Sequence, residues 1–362
     1  MDEPTQIFRP SVFETCAAAP DCFGRQHIPH NLSRPSRVPK ASTMSDQNKL
    51  IDVLQKRAQK LEDRRQFFRK TSGVAVGMAG GMVLVACGGG GLDAIAQSMA
   101  PTDPEILNFA LNLEYLEAQF YQYAVFGKGL DANMLTGVGT QGSVIGGRQV
   151  AFKDPLVAKY AKEIAQDEIA HVAFLRGALG KFAVAQPQID VGGMDPDGAF
   201  SVAARAAGLI GPGQTFDPYA SDENFLLGAY IFEDVGVTAY KGAAPLLTNK
   251  VYLEAAAGIL AAEAYHAGLV RTVLYTKGLA AATDAISVAR DSLDNSVSDD
   301  QGLTGNDPSV SNIAPLDKDG IAYSRLPGDV LNIVYLTKDA APKGGFFPNG
   351  VNGSLVMSSS YA

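Results

Sequence analysis

The sequence predicts an all-α fold: four long helices in a bundle with one long crossover, then a fifth helix and an irregular C-terminal segment. Three observations predict it. Four segments carry apolar residues at the helical period and are bounded by capping residues, Gly or Pro. The first pair of these segments shares a pattern of polar residues with the second pair. The stretch 180–221 between the second and third, rich in Gly and Pro, is too long for a hairpin turn and reads as a crossover.

Composition agrees. The chain has 362 residues, 46% apolar and 19% charged, enough to build a core and too apolar to be largely disordered. Charge is divided: residues 1–87 carry 13 Lys+Arg against 8 Asp+Glu, and residues 88–362 carry 17 against 30. An acidic body repels phosphate backbones, so no nucleic-acid partner is expected. Cys16, Cys22 and Cys87 all precede that body, which therefore has no disulfide, no zinc knuckle and no thiol nucleophile.

Five regions follow in order. Residues 1–63 are an N-terminal extension, within which Met44 opens a more natural leader and is read as the true start. Residues 64–87, RRQFFRKTSGVAVGMAGGMVLVAC, place Arg64-Arg65-Gln66-Phe67-Phe68 before a weakly apolar stretch shorter than a membrane span. This resembles a twin-arginine export signal. Leu84-Val85-Ala86-Cys87 resembles a lipobox, which makes Cys87 a lipidation candidate; AIAQSMA at 94–100 offers an alternative cleavage site. These resemblances imply the twin-arginine export machinery as a partner, and an exported chain, periplasmic or held at the cell envelope by a lipid anchor alone. Residues 88–102 are a Gly-rich linker.

The bundle is expected over 103–280. Helix 1 runs near 104–126, where Asp103 can cap, Pro104 suits the first turn and Gly127 can end it; apolar residues fall at 106, 107, 110, 113, 116, 120 and 124. Helix 2 spans 155–179, helix 3 222–244 and helix 4 249–277, with a short helix near 198–208 inside the crossover. Residues 281–362 form the C-terminal region. It holds most of a fifth, amphipathic helix expected at 280–296, a short helix near 327–337, and GGFFPNGVNG (344–353), a turn-rich stretch expected to pack on the bundle.

The repeat is specific. Helix 1 has Glu114-x6-Tyr121 and helix 3 has Glu233-x6-Tyr240. Helix 2 has Glu168-x-x-His171-x4-Arg176 and helix 4 has Glu263-x-x-His266-x4-Arg271. His171 and His266 are the only histidines in residues 88–362, and each follows a glutamate by three, on the same helix face. Buried in alanine-rich helices without partners, such groups would cost several kcal/mol each. One Glu from each of two helices and Glu-x-x-His from each of two others is the inward-facing ligand set of di-iron and di-manganese carboxylate bundles. Carboxylates are hard donors able to bridge two ions, and imidazole suits Fe and Mn.

With these residues, and with DPEILNFALNLEYLEAQFY (103–121) and GGFFPNGVNG, the chain resembles the ferritin-like superfamily, in particular the exported family that includes plant desiccation-related proteins. The resemblance covers about residues 103–355. It implies two Fe or Mn ions, with Glu114 and Glu233 as ligands from helices 1 and 3, Glu168 and Glu263 as bridges, and His171 and His266 as end ligands. It also implies that Tyr121 and Tyr240 support the ligands and that Asp167 orients a histidine; helix 4 departs here, with Ala262 at that place. Glu117, one turn from Glu114, is its rival, and the Glu-x6-Tyr repeat favours Glu114. Arg176 and Arg271 are open between pairing with ligand carboxylates and lying on the surface. Tyr115, Tyr123, Tyr230 and Tyr265 read as packing residues and Asp234 as a solvated neighbour.

The function implied is redox chemistry with O2 or peroxide, ferroxidase-like or catalase-like. The alternative is a non-enzymatic structural or desiccation-protection protein, and a third reading is an oxygenase with an organic substrate. The long loops argue against a spherical storage cage and are compatible with a homodimer.

Overall fold

The computed structural model describes residues 100–294, 298–305, 307 and 309–361. The N-terminal extension, the twin-arginine leader, Cys87 and most of the linker lie outside the described residues.

The four long helices are α1 (Asp103–Phe126), α2 (Pro155–Leu179), α4 (Asp222–Ala243) and α5 (Lys250–Thr276); α3 (Ala199–Ala206) lies in the crossover. α6 (Ala280–Asp291) and α7 (Pro327–Tyr335) follow. α1 packs along α2 and α4 along α5, and the two hairpins meet mainly through α1 and α4. The fold is all-α as expected, with a minor addition that periodicity could not show. Strand β1 (Val144–Ile145) and strand β2 (Ile189–Asp190) pair in parallel, Val144 opposite Ile189, and join the α1–α2 loop to the crossover. Gly142 permits the approach, because a Cβ there would collide with the Gln188 backbone.

Helix starts are where the sequence reading needs correction. Thr102, not Asp103, caps α1: its N–H and hydroxyl both donate to the Glu105 carboxylate at 2.8 Å. Asp103 instead accepts the N–H groups of Thr248 and Asn249, each at 2.8 Å, just ahead of α5. The repeat returns the gesture. Asp222, eleven residues before Glu233 as Asp103 is before Glu114, accepts the N–H groups of Lys153 and Asp154 ahead of α2. Each hairpin thus fixes the start of a helix in the other, and the internal repeat is a pseudo-two-fold arrangement in space.

One aromatic core lies beneath the crossover. The Phe120 ring stacks on Phe225 at 5.6 Å, lies tilted against Phe200 and meets Phe232 edge-to-face. Phe346, from the C-terminal segment, closes this cluster with its ring 4.9 Å from Phe232. Asn352 then donates to Ala185 O and Thr140 O, while Asn112 on α1 exchanges hydrogen bonds with the Asn352 backbone. The turn-rich C-terminal stretch therefore packs on the bundle, as expected from its two Phe residues and Asn-Gly pairs.

Candidate metal centre

Halfway along the bundle the four long helices turn six side chains to one point: Glu114 from α1, Glu168 and His171 from α2, Glu233 from α4, and Glu263 and His266 from α5. Two groups form. Glu114, Glu168, His171 and Glu263 each offer an atom within 4.8 Å of the others, and so do Glu168, Glu233 and His266. Glu168 belongs to both groups and Glu263 to the first. His171 Nδ1 lies 3.2 Å from Glu114, 3.5 Å from Glu168 and 3.6 Å from Glu263. His266 Nδ1 lies 3.1 Å from Glu168 and 3.7 Å from Glu233, and the two imidazole rings are 6.2 Å apart.

Every glutamate in this set is buried, and its inward atoms have no hydrogen bond. Both oxygens of Glu168 and Glu263, one oxygen each of Glu114 and Glu233, and Nδ1 of both histidines are orphaned. Buried polar atoms in folded proteins are normally satisfied, so this concentration at one point calls for a partner. The donors are hard oxygens and imidazoles arranged in two groups with a shared carboxylate, which fits a pair of divalent first-row ions.

The outward oxygens are held. Tyr121 on α1 donates to Glu233 on α4, and Tyr240 on α4 donates to Glu114 on α1. Asp167 reaches across to the other hairpin, its Oδ2 3.1 Å from His266 Nε2. Ala262, at the matching place on α5, offers His171 nothing comparable. The two halves of the centre therefore differ.

Electrostatics of the bare side chains reflect crowding. Burial pushes Glu114 up to about 7 and Glu233 up to about 8, and lifts Glu117 and Glu263 well above the usual carboxylate range with help from neighbouring carboxylates. Burial works the same way on Glu168, but the attraction of the two imidazoles beside it outweighs burial and holds that carboxyl at about 2. Burial opposes charge on the imidazoles, yet the carboxylates of Glu114 and Glu168 beside it raise His171 to about 11, and those of Glu168 and Glu233 raise His266 to about 9.

Glu114 takes the central place, while Glu117 is buried beside it without joining either group. The residue matching Glu117 in the repeat is Gly236. A Cβ on Gly236 would collide with Glu263 Oε2 and crowd Glu117 Oε1 at 3.4 Å, so the missing side chain makes room for two carboxylates. The signal was in the sequence, as a glycine inside a helix opposite a glutamate in the repeat.

The arginines have no hydrogen bond to the six clustered side chains. Arg176 donates to Tyr115 Oη and to Thr136 O at 2.7 Å. Arg271 is fully buried and donates to Asp234 at 2.7 Å. Tyr115 and Asp234 occupy matching places in the repeat, one residue after Glu114 and Glu233, so the arginines play one positional role with different partners. Asp234 is buried between Arg271 and Arg290 rather than solvated. Tyr265 is 79% exposed, not a packing residue.

Two Glu-bearing and two Glu-x-x-His-bearing helices converging on a shared carboxylate define the class: a ferritin-like bundle with a buried acidic and histidine cluster suited to metal. The chain belongs to the ferritin-like domain family, whose model matches residues 102–276. It is 29% identical over 270 residues to a ferritin-like catalase, Nec2, of Nesocodon mauritianus, covering 70% of this chain and 85% of that one. It is 31% identical over 246 residues to the desiccation-related protein PCC13-62 of Craterostigma plantagineum, covering 62% of this chain and 75% of that one. No solved structure matches the chain.

Proposed function

We propose that the bundle centre holds two Fe or Mn ions and removes peroxide, as a catalase-like enzyme. The observation that carries this reading is the set of orphaned inward donors, six carboxylate oxygens and two imidazole nitrogens, facing one point with Glu168 shared between two groups. The similarity to a ferritin-like catalase supports the choice of substrate. When bound, an ion pair of this kind would supply two-electron redox chemistry toward peroxide. The sum, two H2O2 to two H2O and one O2, needs no external reductant.

The chain's own residues supply the rest. Glu114, Glu168 and Glu263 with His171, and Glu168 and Glu233 with His266, would hold the ions. Tyr121 and Tyr240 fix the two outer glutamates through one oxygen each, leaving the other directed inward. Asp167 sets the His266 tautomer by holding Nε2, which directs Nδ1 to the centre. Glu117, buried with a raised affinity for protons, is a carboxyl able to hold a proton beside the site. Burial of the five glutamates, His266 and the two tyrosines keeps bulk water away.

The test is elemental analysis of the purified chain, reconstitution with Fe and with Mn, and oxygen release from added peroxide. Two metals per chain and O2 release abolished by Glu263→Ala with His266→Ala are expected. Fewer than about one metal per two chains, or no O2 from the loaded chain, sinks the reading.

The similarity to a desiccation-related protein favours a second reading, in which the bundle protects without turnover and metal serves stability alone. Full metal loading without reaction toward peroxide or Fe(II) and O2 distinguishes it. We further propose that the chain is exported through the twin-arginine route and anchored by a lipid on Cys87. Arg64-Arg65 before a weakly apolar stretch supports export, and no helix among the described residues is long and apolar enough to cross a membrane.

A further inference from the structure

The bundle centre is sealed unevenly. Of its six clustered side chains the four glutamates are 0–1% exposed and His266 is 7% exposed, whereas His171 is 12% exposed. His171 Nδ1 is buried at the centre. Its Nε2 is bonded by no group among the described residues and is not sealed off, so that edge of the ring meets solvent.

Helix register explains the opening. α1 and α2 form an antiparallel hairpin, α2 starts beside the start of α4, and α5 starts beside the start of α1. α2 and α5 therefore run antiparallel. Asp167 on α2 stands opposite His266 on α5, with Oδ2 3.1 Å from Nε2. One helical turn from that pair, taken in opposite directions along the two helices, His171 comes opposite Ala262. The outer edge of His266 is thus covered by a carboxylate, while the residue facing His171 ends at Cβ. One turn beyond Ala262, open space lies where a Cβ on Gly258 would stand. The two hairpins meet mainly through α1 and α4, which leaves the α2–α5 seam the thinner side of the bundle.

A rival route exists near the starts of α1 and α5. There a crevice of about 10 Å3, room for one water, is lined by Ile106, Ala110, Ala239, Tyr240 and Ala256 with other apolar side chains. Its one polar group, the Tyr240 hydroxyl, already donates to Glu114. A hydrated ion or a peroxide would have to shed its hydrogen bonds to pass there.

We propose that the α2–α5 seam at His171 and Ala262 is the entrance through which metal ions and peroxide reach the centre. The difference between Asp167 and Ala262 decides that it opens on His171 and not on His266. Ala262 is then a specificity-determining residue, since its small side chain sets the width beside the imidazole. This inference rests on the reading of the centre as a metal site, which requires an entry path.

The test is the rate of Co2+ uptake by the stripped full chain, followed by stopped-flow absorbance, and the rate of Co2+ release into excess EDTA. An entrance sets rates and leaves the equilibrium alone, because it favours neither the free nor the bound state. Leucine is tolerated in helices, and Ala262→Leu on the half-buried seam should slow uptake and release together by about tenfold or more. Co2+ affinity should stay unchanged. Ala261→Leu, which adds the same bulk at the exposed neighbouring position, should leave both rates as they were. In the Fe- or Mn-loaded chain, Ala262→Leu should lower kcat/KM for H2O2. Full Co2+ binding with rates that Ala262→Leu does not move overturns the entrance alone. So does slower uptake with weaker affinity and unchanged release, which would mean that the added bulk displaces His171. An unaltered chain that takes up no Co2+ overturns the metal centre and the entrance with it.

Discussion

Tyr121 on α1 holds Glu233 on α4, and Tyr240 on α4 holds Glu114 on α1. Each tyrosine follows a glutamate of the central cluster by seven in sequence yet serves the glutamate of the other hairpin. Removing either hydroxyl leaves a buried carboxylate oxygen without its donor. Tyr121→Phe should weaken metal binding chiefly in the group of Glu233 and His266, and Tyr240→Phe chiefly in the group of Glu114 and His171, each by about 10–100-fold. A two-site calorimetric metal titration separates them. Identical effects of both substitutions on both sites would show that the pairing does not distribute as the hydrogen bonds indicate.

Gly236→Ala tests the space beside Glu263. In a helix Ala is favoured over Gly by about 1 kcal/mol, so backbone preference alone predicts a more stable chain. The added Cβ would instead displace Glu263 Oε2. The expected outcome is a folded helical chain, by circular dichroism, whose metal content falls by about half or more. Unchanged metal content would mean that Glu263 has room to turn without leaving the centre.

Asp167→Ala tests the asymmetry of the halves. Only His266 has this carboxylate partner, with Ala262 at the matching place. Loss of affinity by about tenfold at one of two sites is expected, with the other unmoved. Spectroscopy of a Co2+-substituted chain, which reports each coordination sphere, reads the difference.

Stability should depend on pH in opposite ways before and after metal loading. Glu114 at about 7, Glu233 at about 8 and His266 at about 9 all lie above their unfolded values, so the metal-free chain is favoured while they stay protonated. Their contribution is present below about pH 4.5 for the carboxyls and about pH 6.5 for the imidazole. It is lost as pH rises through 7 to 9. Glu168, lowered to about 2, acts oppositely, and its contribution disappears only as pH falls below the usual glutamate range. Metal replaces these protons, so the Tm gap between loaded and stripped chain should widen as pH rises from about 6 to 9. A gap that stays constant would contradict proton release on binding.

Much of this was legible. Helix boundaries fell within two residues for all four bundle helices, because Pro155, Gly127, Ser221 and Gly180 mark them by conformational preference. The six donors were legible because two histidines each followed a glutamate by three in otherwise apolar helices. What misled was treating each polar residue by its neighbours in the chain. Asp103 looked like a cap and Asp234 like a solvated side chain, whereas each answers a group from a distant element.

The sequence by itself determined the periodicity, the caps and the repeat, since these rest on local backbone preference and on which side chains share a helix face. It therefore determined that four helices carry a twofold set of carboxylates and imidazoles. Only the tertiary structure decided the cross-hairpin bonds: Asp103 to Thr248 and Asn249, Asp222 to Lys153 and Asp154, Asp167 to His266, and the two tyrosines to each other's glutamates. The reason is distance along the chain. A residue's own helix sets which way its side chain faces, but which donor stands opposite depends on how two hairpins come together, joining residues 68 to 146 positions apart, and no local pattern encodes that.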